Sequence, residues 1–152
     1  MKATECILVI AAVAVANPAA AHAETIRFGV NLELSCTMVV EHGELAPNSD
    51  YTQISSENAG GKPATLQVTA LGGLPKISFA GPSTIGWNLQ AGTLAELRYT
   101  STEGVAQGFT SRPTSVRLSS QSDDFEIHAR AIYAPGFRHG PYAISTTATC
   151  GL

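Results

Sequence analysis

From residue 26 to residue 40 the apolar side chains fall on every even position: Ile26, Phe28, Val30, Leu32, Leu34, Cys36, Met38 and Val40. The odd positions Arg27, Gly29, Asn31, Glu33, Ser35 and Thr37 are polar or small, and Val39 alone breaks the rule. A helix would smear the even set around its circumference, whereas an extended strand gathers it on one face. At about 3.3 Å per residue the run spans roughly 50 Å. That is about three times a common strand length. It therefore reads as one strand continuing past its sheet, or as two strands with a bend at Gly29 or at the Ser35-Cys36 junction.

The same two-residue period returns along the rest of the chain. Tyr51, Gln53 and Ser55 alternate with Thr52 and Ile54, and Leu66, Val68 and Ala70 alternate with Gln67 and Thr69. Ile77 with Phe79, Leu97 with Tyr99 and Val116 with Leu118 mark three shorter strands. A long strand carries Phe125, Ile127, Ala129, Ala131 and Tyr133. A closing one over 142–150 carries Tyr142, Ile144, Ala148 and Cys150 in phase. Pro, Gly and Asn punctuate the intervals. The pattern predicts an all-β chain, a single immunoglobulin-like antiparallel β-sandwich of seven to nine strands.

Ahead of the first strand, residues 1–23 have the form of a secretory signal. Lys2 precedes an apolar run over 6–16, then come Asn17-Pro18 and the A-x-A site Ala21-His22-Ala23. An apolar core of about 11 residues suits a signal and is too short to cross a bilayer. The competing reading is a buried N-terminal helix, which Pro18 and the small-residue tail disfavour. Cleavage would start the chain at Glu24, and no later segment resembles a membrane span. The expected location is outside the cytoplasm, in the periplasm, on the cell surface or beyond the cell. Cleavage also leaves Cys36 and Cys150, an even pair bound for an oxidising compartment, which predicts one disulfide. Both cysteines lie on the inward phase of their strands. Two unlinked buried thiols are the alternative.

Charge narrows the functions. Charged residues make up 14% of the chain, the net charge is −3, and the basic residues are scattered. No stripe could follow a phosphate backbone, so nucleic acid is not an expected partner. Gly60-Gly61-Lys62 is followed by Pro63 and lacks the Ser or Thr of a phosphate loop, so it reads as a hairpin turn. His42, His128 and His139 show no metal-ligand spacing. Glu126 and His128 share a strand face, as a solvated pair or, with a third ligand, a cation site. Asp123, Asp124 and Glu126 lack the spaced oxygens of a calcium loop. Serines are plentiful, but none sits in a G-x-S-x-G elbow. No enzyme, metal or cofactor is expected. Trp87 reads as a cap on one end of the core or as a ligand-stacking residue. With Phe137 and Tyr142 in the late Pro/Gly loop, it is a ligand-contact candidate.

Both ends of the domain carry a resemblance. An alternating strand straight after the signal opens on Ser35-Cys36-Thr37. Later come Phe125-Glu126-Ile127-His128-Ala129, Ala131-Ile132-Tyr133, Gly140-Pro141-Tyr142 and a Thr-rich end. This resembles the spore coat protein U-like pilin subunits of the archaic chaperone–usher pathway. The resemblance implies a structural subunit of a surface fimbria or coat, built as a sandwich over 36–152 that lacks one strand. Residues 24–35 would be the donor extension, with Ile26, Phe28, Val30, Leu32 and Leu34 as its knobs. The implied partners are like subunits and a periplasmic chaperone and usher. The chain departs from that family at Thr149-Cys150-Gly151-Leu152, because a bond from Cys36 to the last strand restricts how far that edge can open. The alternative is thus a self-complete, monomeric exported binding module, with a glycan as one ligand class.

Overall fold

A computed structural model describes residues 27–31, 33–86 and 90–151. Ile26, Leu32 and Trp87 lie outside them. The chain divides into two units, 1–30 and 31–152. Of the first, residues 27–30 are described; all four are exposed and none is in a strand.

The second unit contains twelve strands among the described residues and no helix: β1 Ser35–Glu41, β2 Ala46–Pro47, β3 Gln53–Ser55, β4 Ala64–Leu71, β5 Lys76–Phe79, β6 Ser83–Gly86, β7 Leu94–Ser101, β8 Ala106–Thr110, β9 Thr114–Arg117, β10 Ser122–Ile132, β11 Tyr142–Ser145 and β12 Ala148–Gly151. All pairings are antiparallel. The count exceeds seven to nine because several strands are too short for alternation to register, such as the two residues of β2.

The main sheet is built around β10. One side of β10 pairs β7, which pairs β8; the other side pairs β4 along its first half and β3 along its second. β1 lies outside β4 at one edge and β2 outside β3. A three-stranded sheet, β12-β5-β9, supplies the second layer, and β11-β6 forms a third, smaller sheet. Leu66, Val68, Tyr99 and Phe125 from the main sheet meet Ile77 and Phe79 of β5 and Leu118 just past β9 in one buried cluster. This is the sandwich core. Phe79, Tyr99 and Phe125 form its aromatic centre, with ring centroids 4.6 to 5.9 Å apart. Such tilted and edge-on pairs add to the burial of their area. A second cluster, Ile54, Ala131 and Phe137, lies toward the other end of β10.

One expectation is narrowed and another corrected. Among the described residues of the ribbon over 26–40, strand begins at Ser35. Ser35 pairs Leu71, the last residue of β4, and the chain then turns at Gly72 with φ of 90°. A Cβ on Gly72 would sit 2.6 Å from the Glu33 carbonyl oxygen, so the turn needs glycine. Residues before Ser35 therefore find no continuing β4 backbone to bond. Phe28 and Val30 are exposed, and Leu34 is half-buried and outside any strand. Alternation states which face a strand would present, but not whether an edge exists to receive it. The closing strand is likewise two: β11 pairs β6 and β12 pairs β5, with the chain changing sheets at Thr146-Thr147. The alternation of half-buried and exposed residues runs unbroken through that switch.

The Cys36–Cys150 disulfide is present, joining positions 114 residues apart. β1 and β12 do not pair. They are edge strands of the two facing sheets, and the bond spans the seam between them.

Candidate functional site

At the seam part of the main sheet's apolar inner face is uncovered. In β1, Cys36, Met38 and Val40 stand opposite Ala70, Val68 and Leu66 of β4, and so share their face. Those β4 residues are 0%, 1% and 1% exposed, yet Met38 is 36% and Val40 54% exposed. Apolar side chains on the inner face of a sheet have no cover at this edge. The same interruption appears in β10. Phe125 and Ala131 are buried, but the inward positions between them, Ile127 and Ala129, are only half-buried. Between the two core clusters lies a cavity of about 300 Å³. Val40, Leu66, Phe79, Ile127, Ile144 and Ala148 give it apolar walls, with His42 and Lys62 also on its lining. Among the described residues β1 has a ladder only with β4, and β12 only with β5. The groove is thus flanked by two strands with one unpaired edge each, tied at one end by the disulfide.

A second concavity, of about 480 Å³, opens beyond Leu45, which lines both. Its walls come from two loops, 48–52 and 133–141, and from Pro47, Ile54 and Tyr142 on the adjoining strands β2, β3 and β11. In the first, Asn48 Oδ1 accepts the Gln53 N–H at 2.9 Å, and Asn48 Nδ2 donates to Thr52 Oγ1 at 3.1 Å. This wiring holds Tyr51 at φ of 59°, the one non-glycine with positive φ among the described residues. The Tyr51 carbonyl accepts the Phe137 N–H at 2.7 Å, which locks the two loops together. In the second loop Phe137 is buried. It packs edge-on against Tyr142, with centroids 5.2 Å apart, and lies 5.9 Å from Tyr133. Tyr142 Oη donates to the Arg138 carbonyl at 2.9 Å. Phe137 and Tyr142, singled out from sequence, are therefore brought together. Tyr51 and Arg138 were not signalled: Tyr51 read as a strand residue, although the turn formers Asn48 and Asp50 just before it were visible.

Asp50 illustrates the electrostatics of this loop. The Thr52 hydroxyl donates to its Oδ1 at 2.8 Å and the Thr52 N–H at 3.4 Å, and these bonds hold its carboxyl below the ordinary 3.8. A depressed carboxylate contributes stability above its unfolded value and loses it as the pH falls through the folded one. The Asp50 side chain should titrate by NMR below 3.8, and Thr52→Val should return the midpoint toward 3.8. An unchanged midpoint in the variant would show that the hydroxyl is not the cause.

On the outer face of the main sheet, Glu126 and His128 do pair: His128 Nε2 donates to Glu126 Oε1 at 2.9 Å. His128 Nδ1 lies 3.2 Å from Ser56 Oγ, which in turn accepts the Ala129 N–H at 3.1 Å. Arg98 bonds Glu57, Arg130 bonds Glu96, and the Phe109 ring lies 4.0 Å from Arg130 and 5.6 Å from Arg98. Sequence placed Glu126 and His128 on one face but gave no sign of Ser56, 72 positions away. The network fastens the turn after β3 to β10. Among the described residues no three His, Cys, Asp or Glu side chains are placed to hold a metal ion.

No family model matches this sequence, and no curated protein and no solved structure matches the chain.

Proposed function

We propose that this protein is an exported structural subunit that assembles by β-strand addition. The observation that carries the reading is the uncovered inner face of β1, where Met38 and Val40 lie level with Val68 and Leu66 but stand open to solvent. An extended strand laid between β1 and β12 would find backbone to bond on its edges and a groove for alternate side chains. Residues 26–34 of a like subunit have that alternation, and a periplasmic chaperone's strand is the natural placeholder before assembly. Each fully buried Val, Leu, Ile or Phe knob contributes about 1.5–3 kcal/mol before ordering costs. A contact of this head-to-tail kind propagates as an open filament.

The test uses protein beginning at residue 36 and a synthetic peptide of residues 24–34. The peptide should bind, raise the melting temperature and protect β1 amides from exchange. A peptide with Phe28, Val30 and Leu32 changed to Ser should lose at least tenfold in affinity. Failure of the parent peptide to protect β1 would sink the proposal. A self-complete monomeric module remains the second reading because the disulfide holds the two lips together. It predicts a monodisperse monomer for protein beginning at residue 24.

A further inference from the structure

We propose that the concavity walled by Tyr51, Phe137 and Tyr142 is a carbohydrate site selective for a saccharide bearing a carboxylate. Its volume, about 480 Å³, falls in the range that holds small ligands, and its lining is mainly apolar and aromatic. Phe137 is buried and props the half-buried Tyr142 edge-on, so the rings a sugar's C–H surface can meet are Tyr51 and Tyr142, whose hydroxyls add hydrogen-bonding groups at the rim. Tyr51 is 58% exposed, so its ring has not been recruited into the core.

The backbone supports the same reading. A tyrosine in the left-handed region is a strained choice where glycine or asparagine would be relaxed, and such strain collects at ligand clamps. Here the strain is sustained by three backbone bonds around Tyr51: to Asn48, from Phe137, and from Tyr133 to the adjoining Thr52. Loop wiring of this density holds the Tyr51 backbone in place before any ligand arrives, which lowers the ordering cost of binding.

Charge sets the selectivity. Arg138 lines the concavity, as does His139, and no Asp or Glu does. Among the described residues no carboxylate pairs with the Arg138 guanidinium, whereas Arg98 and Arg130 on the outer face are each paired with a glutamate. Asp50, next to Tyr51 in sequence, has its carboxylate bonded to Thr52. An exposed arginine beside aromatic walls suits a planar carboxylate, which it can bind through two parallel N–H donors. The site does not require strand addition, since its lining residues belong to one chain, on loops and on the strands β2, β3 and β11 beside them.

The probes are glucuronic acid, glucose and acetate, titrated into isotope-labelled protein and followed by amide shifts. Glucuronic acid should saturate with shifts centred on residues 45–54 and 137–142, at least fivefold more tightly than glucose, and acetate should leave the Tyr51 and Tyr142 signals unmoved. Arg138→Gln should remove the preference for glucuronic acid over glucose. Tyr51→Gly should weaken both sugars at least fivefold while leaving the melting temperature within a few degrees, because glycine accepts the backbone angle. Shifts scattered elsewhere, equal affinities for both sugars, acetate reproducing the full response, or an Arg138→Gln protein that keeps its preference would each overturn the assignment.

Discussion

Opening the Cys36–Cys150 bond, by reductant or by Cys36→Ala with Cys150→Ala, is expected to cost the folded protein about 4–5 kcal/mol. This follows from the loss of chain entropy in the unfolded state when positions 114 apart are linked. The penalty is a large part of the roughly 5–15 kcal/mol by which a domain is ordinarily stable. It should appear as a fall in melting temperature on the order of 15 °C. The bond's position adds to its importance. Both cysteines pack against the main core cluster, and each sits on an edge strand with a ladder on one side only. Without the link, nothing covalent resists the separation of β1 from β12. A calorimetric shift under about 5 °C on reduction would mean that packing alone closes the seam.

The second large effect is expected at Phe125. Its side chain is 1% exposed and meets Phe79 and Tyr99 edge-on at 5.9 Å each, and its backbone lies between Leu66 of β4 and Ser101 of β7. Phe125→Ala removes the ring on which both layers close and should cost about 3–5 kcal/mol in urea denaturation. Ile127, two residues on and on the same face, points toward the groove and is only half-buried. Ile127→Ala should cost about 1 kcal/mol, since less apolar area is removed from water in the parent. The cost at Ile127 should grow when the 24–34 peptide is bound, while that at Phe125 should not. Equal costs at the two positions in the free protein would show that the groove is already filled.

Much of this architecture was legible in the sequence. The alternation at 64–70, 94–100 and 125–133 gives three strands of the main sheet with the correct inward faces, because their two faces lie in different surroundings. The pairing of Cys36 with Cys150 followed from parity and phase. What was not legible was partnership. Nothing in residues 26–34 distinguishes a strand with an edge to join from one without, and the limit at Ser35 is set by where β4 turns, some 36 residues later. The sheet switch at Thr146-Thr147 is silent for a similar reason: the inward phase is the same on either side, so periodicity cannot register that the neighbour has changed. The polar pocket residues fared worse. Tyr51 and Arg138 acquire meaning from loops that meet only in three dimensions, and Ser56 reaches His128 across the turn that follows β3.

The cystine that bridges the two sheets also bears on mechanical load. If tension enters through β1 and leaves through β12, the covalent link carries it directly, and the 114-residue interval is bypassed. At about 3.3–3.6 Å per residue, some 400 Å of slack cannot be paid out however hard the ends are drawn. A thread of such units would stretch at its joints and spare the beads.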